Sequence, residues 1–178
     1  MTFRKRAIVT LIIVFICIGC DRATKIVAKK HLPPHRTVSF RQDTVRLQYA
    51  ENTGAFLSFG ANIPDKARFF IFTVLVGLFL FGLLLFQLFS SQFTRMQVVA
   101  MSLILGGGFG NMIDRVAHEG RVFDFMNVGL GRLRTGVFNV ADMSITFGVL
   151  WFLYLAFRDR DKASPGDGDS GNGNPVEA

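Results

Sequence analysis

The stretch FFIFTVLVGLFLFGLLLFQLF, Phe69–Phe89, decides the fold. It contains no ionisable side chain, and about 20 consecutive apolar residues span the hydrocarbon core of a bilayer. On either side of it, three further segments are apolar enough to be spans: Ala7–Cys20 (extended as far as Ala28), Val98–Ile113 and Val137–Phe157. The whole chain fits this pattern. Of its 178 residues 50% are hydrophobic, Phe alone occurs 20 times, and 19% are charged. The expected object is a mainly helical membrane protein with four transmembrane helices in one domain, residues 1–157, followed by a disordered polar tail over 158–178 rich in Asp, Gly, Asn, Ser and Pro.

The net charge of +7 does not indicate a nucleic-acid partner, because the basic residues are scattered along loops rather than gathered on one soluble face. Attraction to anionic lipid head groups accounts for it more simply. Arg4, Lys5 and Arg6 abut the first span and favour a cytoplasmic N-terminus, which four spans then match with a cytoplasmic C-terminus. The raw Lys/Arg count opposes this, with seven on that side and thirteen on the other, Lys29, Lys30, Arg36, Arg41 and Arg46 among them. The cluster beside the first helix sets the expectation, since several opposing arginines are candidate site residues. Cys17 and Cys20, three apart in an apolar helix, suit neither a disulfide nor a metal site. Gly19-Cys20 after a basic start also mimics a signal ending at a lipid-modified cysteine, but three more spans follow.

Between the first two spans, His31–Lys66 shows Val38/Phe40 and Val45/Leu47/Tyr49 alternating with polar residues, as short strands do. Pro33-Pro34 prevents His31 and His35 from forming a helical metal pair. Ala117–Gly136, with Gly120, Gly129, Gly131 and Gly136, reads as a second irregular stretch on the same side of the membrane. No metal-ligand set or cofactor motif appears, and the glycines at Gly106–Gly108 read as helix packing rather than a nucleotide loop.

Two aspartates stand out: Asp124 in Val122-Phe123-Asp124-Phe125 and Asp142 in Phe138-Asn139-Val140-Ala141-Asp142. Each sits among apolar residues, where a charge is costly unless it is used. Two neighbouring carboxylates cannot easily both ionise, so one retains a proton. Such a pair can activate water and protonate a leaving amine. The bland alternative makes Asp142 a helix cap or the partner of Arg115, and Asn139 the cap of the fourth helix. Asp21 and Lys25 are four apart, either an interfacial ion pair or an anchor for the site loops. Asn52 beside Gly54 is ordinary turn chemistry or a polar contact for a substrate backbone above Phe56, Leu57 and Phe59. Asn111 and Arg115 share a helix face beside Asp114. Arg115 is either an interfacial snorkel or a clamp on a phosphate or carbonyl.

Asp21-Arg22-Ala23-Thr24-Lys25, Asn52-x-Gly54-Ala55-Phe56, Gly110-Asn111-x-x-Asp114-Arg115, Val122-Phe123-Asp124-Phe125 and Phe138-Asn139-x-Ala141-Asp142 together resemble, in order and spacing, the motifs of the bacterial lipoprotein signal peptidase family, signal peptidase II. The resemblance runs from about residue 7 to 157. It implies an aspartic endopeptidase of the inner (cytoplasmic) membrane, without cofactor or metal, that removes signal peptides from diacylglyceryl-modified prolipoproteins just before the lipidated cysteine. It assigns Asp124 and Asp142 as the catalytic dyad. Asn52, Gly54, Asn111, Arg115 and Asn139 would line the site, and Asp21, Lys25 and Asp114 would support structure. It also implies an extracytoplasmic β-sheet cradle over about 31–66, a second loop over about 117–136, and a monomer amid membrane lipid. Arg22 stands where Gln is common, and Phe123 where a β-branched residue is frequent. Two competitors remain. One is a serine/lysine peptidase using Ser144 or Ser58 with Lys25, although Ser144 faces away from Asp142. The other is a small transporter with Asp124, Asp142 and Arg115 on an ion path.

Overall fold

In the computed structural model, which describes residues 1–34, 36–54 and 63–163, four helices are long and apolar enough to cross a membrane. The first, Phe3–His31, is 29 residues long, or about 43 Å at 1.5 Å per residue, so it outruns a hydrocarbon core of about 30 Å. Its last turn carries the cations Lys29 and Lys30, with His31 beside them, where helix carbonyls are unpaired. It stops at Leu32, held extended before Pro33. The second span, Asp65–Phe89, contains a π-helical segment, Phe70–Leu75. The third, Arg95–Ala117, begins with a capping box in which Thr94 and Gln97 exchange bonds. The fourth helix, Val140–Ala163, continues past the expected boundary at 157. Residues 164–178 of the expected tail lie outside the described residues.

Every span is longer than its apolar run, because helices continue through the interface where charged residues are tolerated. Large apolar side chains such as Phe15, Leu78, Phe79, Phe147 and Leu150 point outward, as a lipid solvent requires. Apolar burial gives helices little reason to associate in lipid, so close approach at small residues takes over. The third span is central: a Cβ on Gly106 would meet Cys17 of the first span, and one on Gly107 would meet Ala141 of the fourth. Polar contacts reinforce the bundle. Gln87 Nε2 donates to Thr10 Oγ1 (2.7 Å) and Ser102 Oγ (2.9 Å), and Arg6 donates to the carbonyls of Gln87, Leu88 and Ser90 at the end of the second span.

On one side of the bundle lies a four-stranded antiparallel sheet, in the order β1 (Thr37–Phe40), β2 (Val45–Asn52), β3 (Val122–Leu130) and β4 (Leu133–Arg134). The two expected strands are present. The stretch expected to be irregular, Ala117–Gly136, instead holds β3, an inner strand. It escapes period-two reading because Val122 to Phe125 are buried on both faces, so apolar residues do not alternate. Its glycines have local tasks: Gly131 takes φ +55 in the β3–β4 turn, and a Cβ on Gly129 would strike Arg134. Phe125 N and Met126 N both donate to Phe138 O (3.1 and 2.9 Å), a β-bulge. Phe123, Phe125, Ala28 and Leu32 form a core cluster with Val38, Leu47 and Met126 packed on it, which ties the sheet to the end of the first span.

Candidate active site

The dyad candidates come from different kinds of element. Asp142 lies in the first turn of the fourth helix, whereas Asp124 lies on β3 rather than at a helix end. Val140 follows Asn139, which is fully buried and caps the helix: Asn139 Oδ1 accepts from Asp142 N (3.0 Å), and Asp142 Oδ2 accepts from Asn139 N (3.0 Å). This reciprocal pair is a capping box. The cap and the site are therefore the same residues. The second carboxylate oxygen of Asp142 accepts from Asn111 Nδ2 (2.8 Å).

Asn139 also reaches the other carboxylate, donating to Asp124 Oδ1 (2.6 Å) and to Asn111 Oδ1 (3.0 Å). Asn52 Nδ2 donates to Asp124 Oδ2 (3.1 Å). Asp124 is thus 2% exposed, with both oxygens hydrogen-bonded by side-chain amides. Burial pushes its carboxyl up to about 7, the charge of Asp142 adds to this, and the amides of Asn52 and Asn139 oppose it. A proton is therefore retained near neutrality in a pair bridged by one asparagine.

Below Asn111 lies a buried ionic cluster. Lys25 Nζ is 2.6 Å from Asp21 Oδ2 and 2.7 Å from Asp114 Oδ2, with Arg22 also on Asp114. Two cations face two anions, so the charges balance, with Arg22 at the exposed edge of the cluster. Lys25 also donates to Asn111 Oδ1 (3.4 Å), and Asp21 Oδ1 accepts from Ala141 N (3.0 Å). The i, i+4 pair and the anchoring role are both present, since the cluster clamps the first and third spans to the start of the fourth. Arg115 forms no ion pair with Asp142 among the described residues. It donates from Nη2 to Gly54 O (3.2 Å), while Gly54 N donates to Asn52 Oδ1 (3.0 Å), so Arg115 and Asn52 together fix the Asn52–Gly54 turn. Phe56, Leu57, Ser58 and Phe59 lie outside the described residues.

From Asp142, Asn111 and Arg115 a groove of about 470 Å³ descends between the second, third and fourth spans, walled by Phe72, Val76, Ile145, Thr146 and Leu150. One end is polar and the rest apolar. Ser144 Oγ donates to Val140 O (3.1 Å), and Lys25 is held between carboxylates, which leaves the serine/lysine alternative without a base. Sequence reading missed the Gln87–Thr10–Ser102 cluster, although a glutamine inside an apolar run was its signal. It also missed Asn127, whose Nδ2 donates to Thr135 O (2.5 Å) and which carried no signal distinguishing it from a turn residue.

Comparison with known proteins concerns the chain as a whole. The chain is 33% identical over 151 residues to a lipoprotein signal peptidase of Syntrophus aciditrophicus, covering 84% of this chain and 92% of that protein. It is 35% identical over 149 residues to one of Treponema denticola, covering 82% and 86%. Two solved structures, described as bacterial membrane enzymes determined by the in meso method at 2.3 and 1.9 Å resolution, share the fold. Their TM-scores are 0.75 and 0.71 at 24% and 25% identity, covering 90% and 84% of this chain and 94% and 93% of theirs. The model of the signal peptidase II family matches residues 13–158. A multi-pass membrane protein with these relatives along most of its length belongs to the signal peptidase II family.

Proposed function

We propose that the chain is an aspartic endopeptidase that cuts diacylglyceryl-modified prolipoproteins just before the lipidated cysteine, with Asp124 and Asp142 as its dyad. Chief support comes from Asn139, whose side chain donates to one carboxylate and accepts from the backbone N–H of the other. Between them the two aspartates share one proton. The ionised carboxylate takes a proton from water as its oxygen attacks the scissile carbonyl carbon. The protonated one then donates to the departing amide nitrogen as the C–N bond breaks. Asn111 and Asn52 hold the carboxylates apart and oriented. Arg115 and Gly54 present the turn against which the substrate backbone lies.

Depth in the membrane supports the substrate class. Asp142 sits at the start of a span and Asp124 on a strand beyond it, so the scissile bond is cut at the interface while acyl chains stay in the bilayer. The groove beneath Asp142 is apolar where the helical signal segment or lipid would lie. The peptidase domain ends near residue 157, with both termini cytoplasmic and the sheet extracytoplasmic. The test is incubation in detergent with a prolipoprotein whose cysteine is diacylglycerylated and with its unmodified precursor. Mass spectrometry should find a product beginning at the lipidated cysteine from the first and none from the second. Equal cleavage of both would refute the substrate assignment.

A further inference from the structure

The apolar face of the sheet does not end where the first span stops covering it. Register places Phe40 opposite Val45, Val45 opposite Val128, and Leu130 opposite Leu133. Residues directly opposite one another share a face, and Val128 and Leu130 are two apart on one strand. All five side chains therefore lie on one face. It is the face of Val38, Leu47 and Met126, which pack on the cluster of Ala28 and Leu32. Beyond that cluster, at the tip where the β1–β2 and β3–β4 turns meet, the face is uncovered: Phe40 is 49% exposed, Leu130 73% and Leu133 85%. Leu130 stands about 16 Å further along β3 than Phe125. An apolar surface of this kind on a soluble edge marks an interaction site.

The turns that carry it are basic. Arg41 follows Phe40, and Arg132 lies between Leu130 and Leu133. Both are exposed, and neither forms an ion pair among the described residues. By contrast, Arg46 and Arg134 are held on Asp43, whose carboxyl they and Ser39 keep well below the usual carboxylate range. Arg41, Gln42 and Asp43 all have positive φ, a conformation non-glycine residues adopt at a cost, and the Asp43 contacts hold the turn there. Lys29 and Lys30 add charge where the same face meets the first span.

We propose that the sheet tip docks on the bilayer surface, with Phe40, Leu130 and Leu133 at the upper acyl level and Arg41 and Arg132 on anionic phospholipid head groups of the sheet-side leaflet. Two observations select lipid over another protein. The face is continuous with the packing surface of a long apolar helix that also carries Ile26 and Val27, exposed apolar residues. Its rim carries unpaired cations, as interfacial elements do. This site is separate from the dyad and does not rest on the proposed chemistry.

The test uses full-length protein in nanodiscs, with Trp151→Phe removing the native indole and Leu133→Trp introducing a reporter (Leu130→Trp serving if that variant folds poorly). Phosphatidylcholine or phosphatidylglycerol brominated high on the acyl chain is the quencher. The indole should be quenched by both and more by the anionic lipid, which each surface cation enriches about fivefold. Arg41→Gln with Arg132→Gln should abolish the excess and leave quenching by phosphatidylcholine. An indole open to acrylamide and untouched by brominated lipid would overturn docking, as would one shielded from both, which would mean a protein covers the face. Equal quenching by the two lipids would overturn the anionic preference.

Discussion

Replacing Asp124 by Asn should change the shape of the stability–pH curve as well as activity. The carboxyl ordinarily titrates at 3.8 and in the folded protein near 7, which makes its ionised form less favourable on folding by about 4 kcal/mol. Between those values the folded state keeps a proton that the unfolded chain has lost. Stability therefore falls as pH rises from about 4 to about 7 and is flat on either side. Asn cannot ionise, so this slope disappears. The amide also has only one oxygen where the carboxylate offered two, so Asn52 or Asn139 loses its acceptor at a pH-independent cost of about 1–3 kcal/mol. The two curves should cross, with the variant less stable at pH 4 and more stable at pH 8. Thermal unfolding in detergent, followed by Trp151 fluorescence, measures this. Ionisable groups common to both proteins cancel in the difference. Parallel curves would refute the claim that Asp124 is held protonated.

Lys25→Met strands Asp21 and Asp114 in the buried cluster with only Arg22 for compensation, and should destabilise by about 3–5 kcal/mol, read as a lower unfolding midpoint; Lys25→Arg should recover part of it. Asn139→Ala removes a helix cap, worth about 0.5–2 kcal/mol, and also the bridge between the carboxylates. Its activity should therefore fall far more than its stability, and an activity loss no larger than the stability loss would argue against the bridge. Gly107→Ala places a Cβ against the Ala141 backbone and should lower the unfolding midpoint, whereas Gly82→Ala meets nothing within 4 Å and should leave it unchanged.

The four spans were legible because a bilayer leaves the backbone little choice: Phe69–Phe89 has to be a helix. Their ends were not, because beyond the hydrocarbon the chain can stay helical with charged residues, as it does through Lys29 to His31 and past Phe157. β1 and β2 showed as alternation since each keeps a solvent-facing side. β3 showed none, so the stretch that carries Asp124 was expected to be irregular and is found to be a strand. Motif spacing picked out Asn111, Asn139 and both aspartates, but spacing alone could not say that Asn139 would touch both carboxylates. That contact depends on β3 and the fourth helix meeting through the Phe138 bridge to Met126. The role of Asp142 was left open between cap and acid/base group, and the geometry supplies the cap while leaving its other oxygen on Asn111.

Cleavage of a diacylglyceryl-modified prolipoprotein by the wild type, Asp124→Asn and Asp142→Asn proteins, each shown to be folded, tests the two-aspartate dyad. The dyad requires cleavage by the wild type and none above background by either variant. Wild-type rates from both variants would contradict it and place the chemistry on other residues.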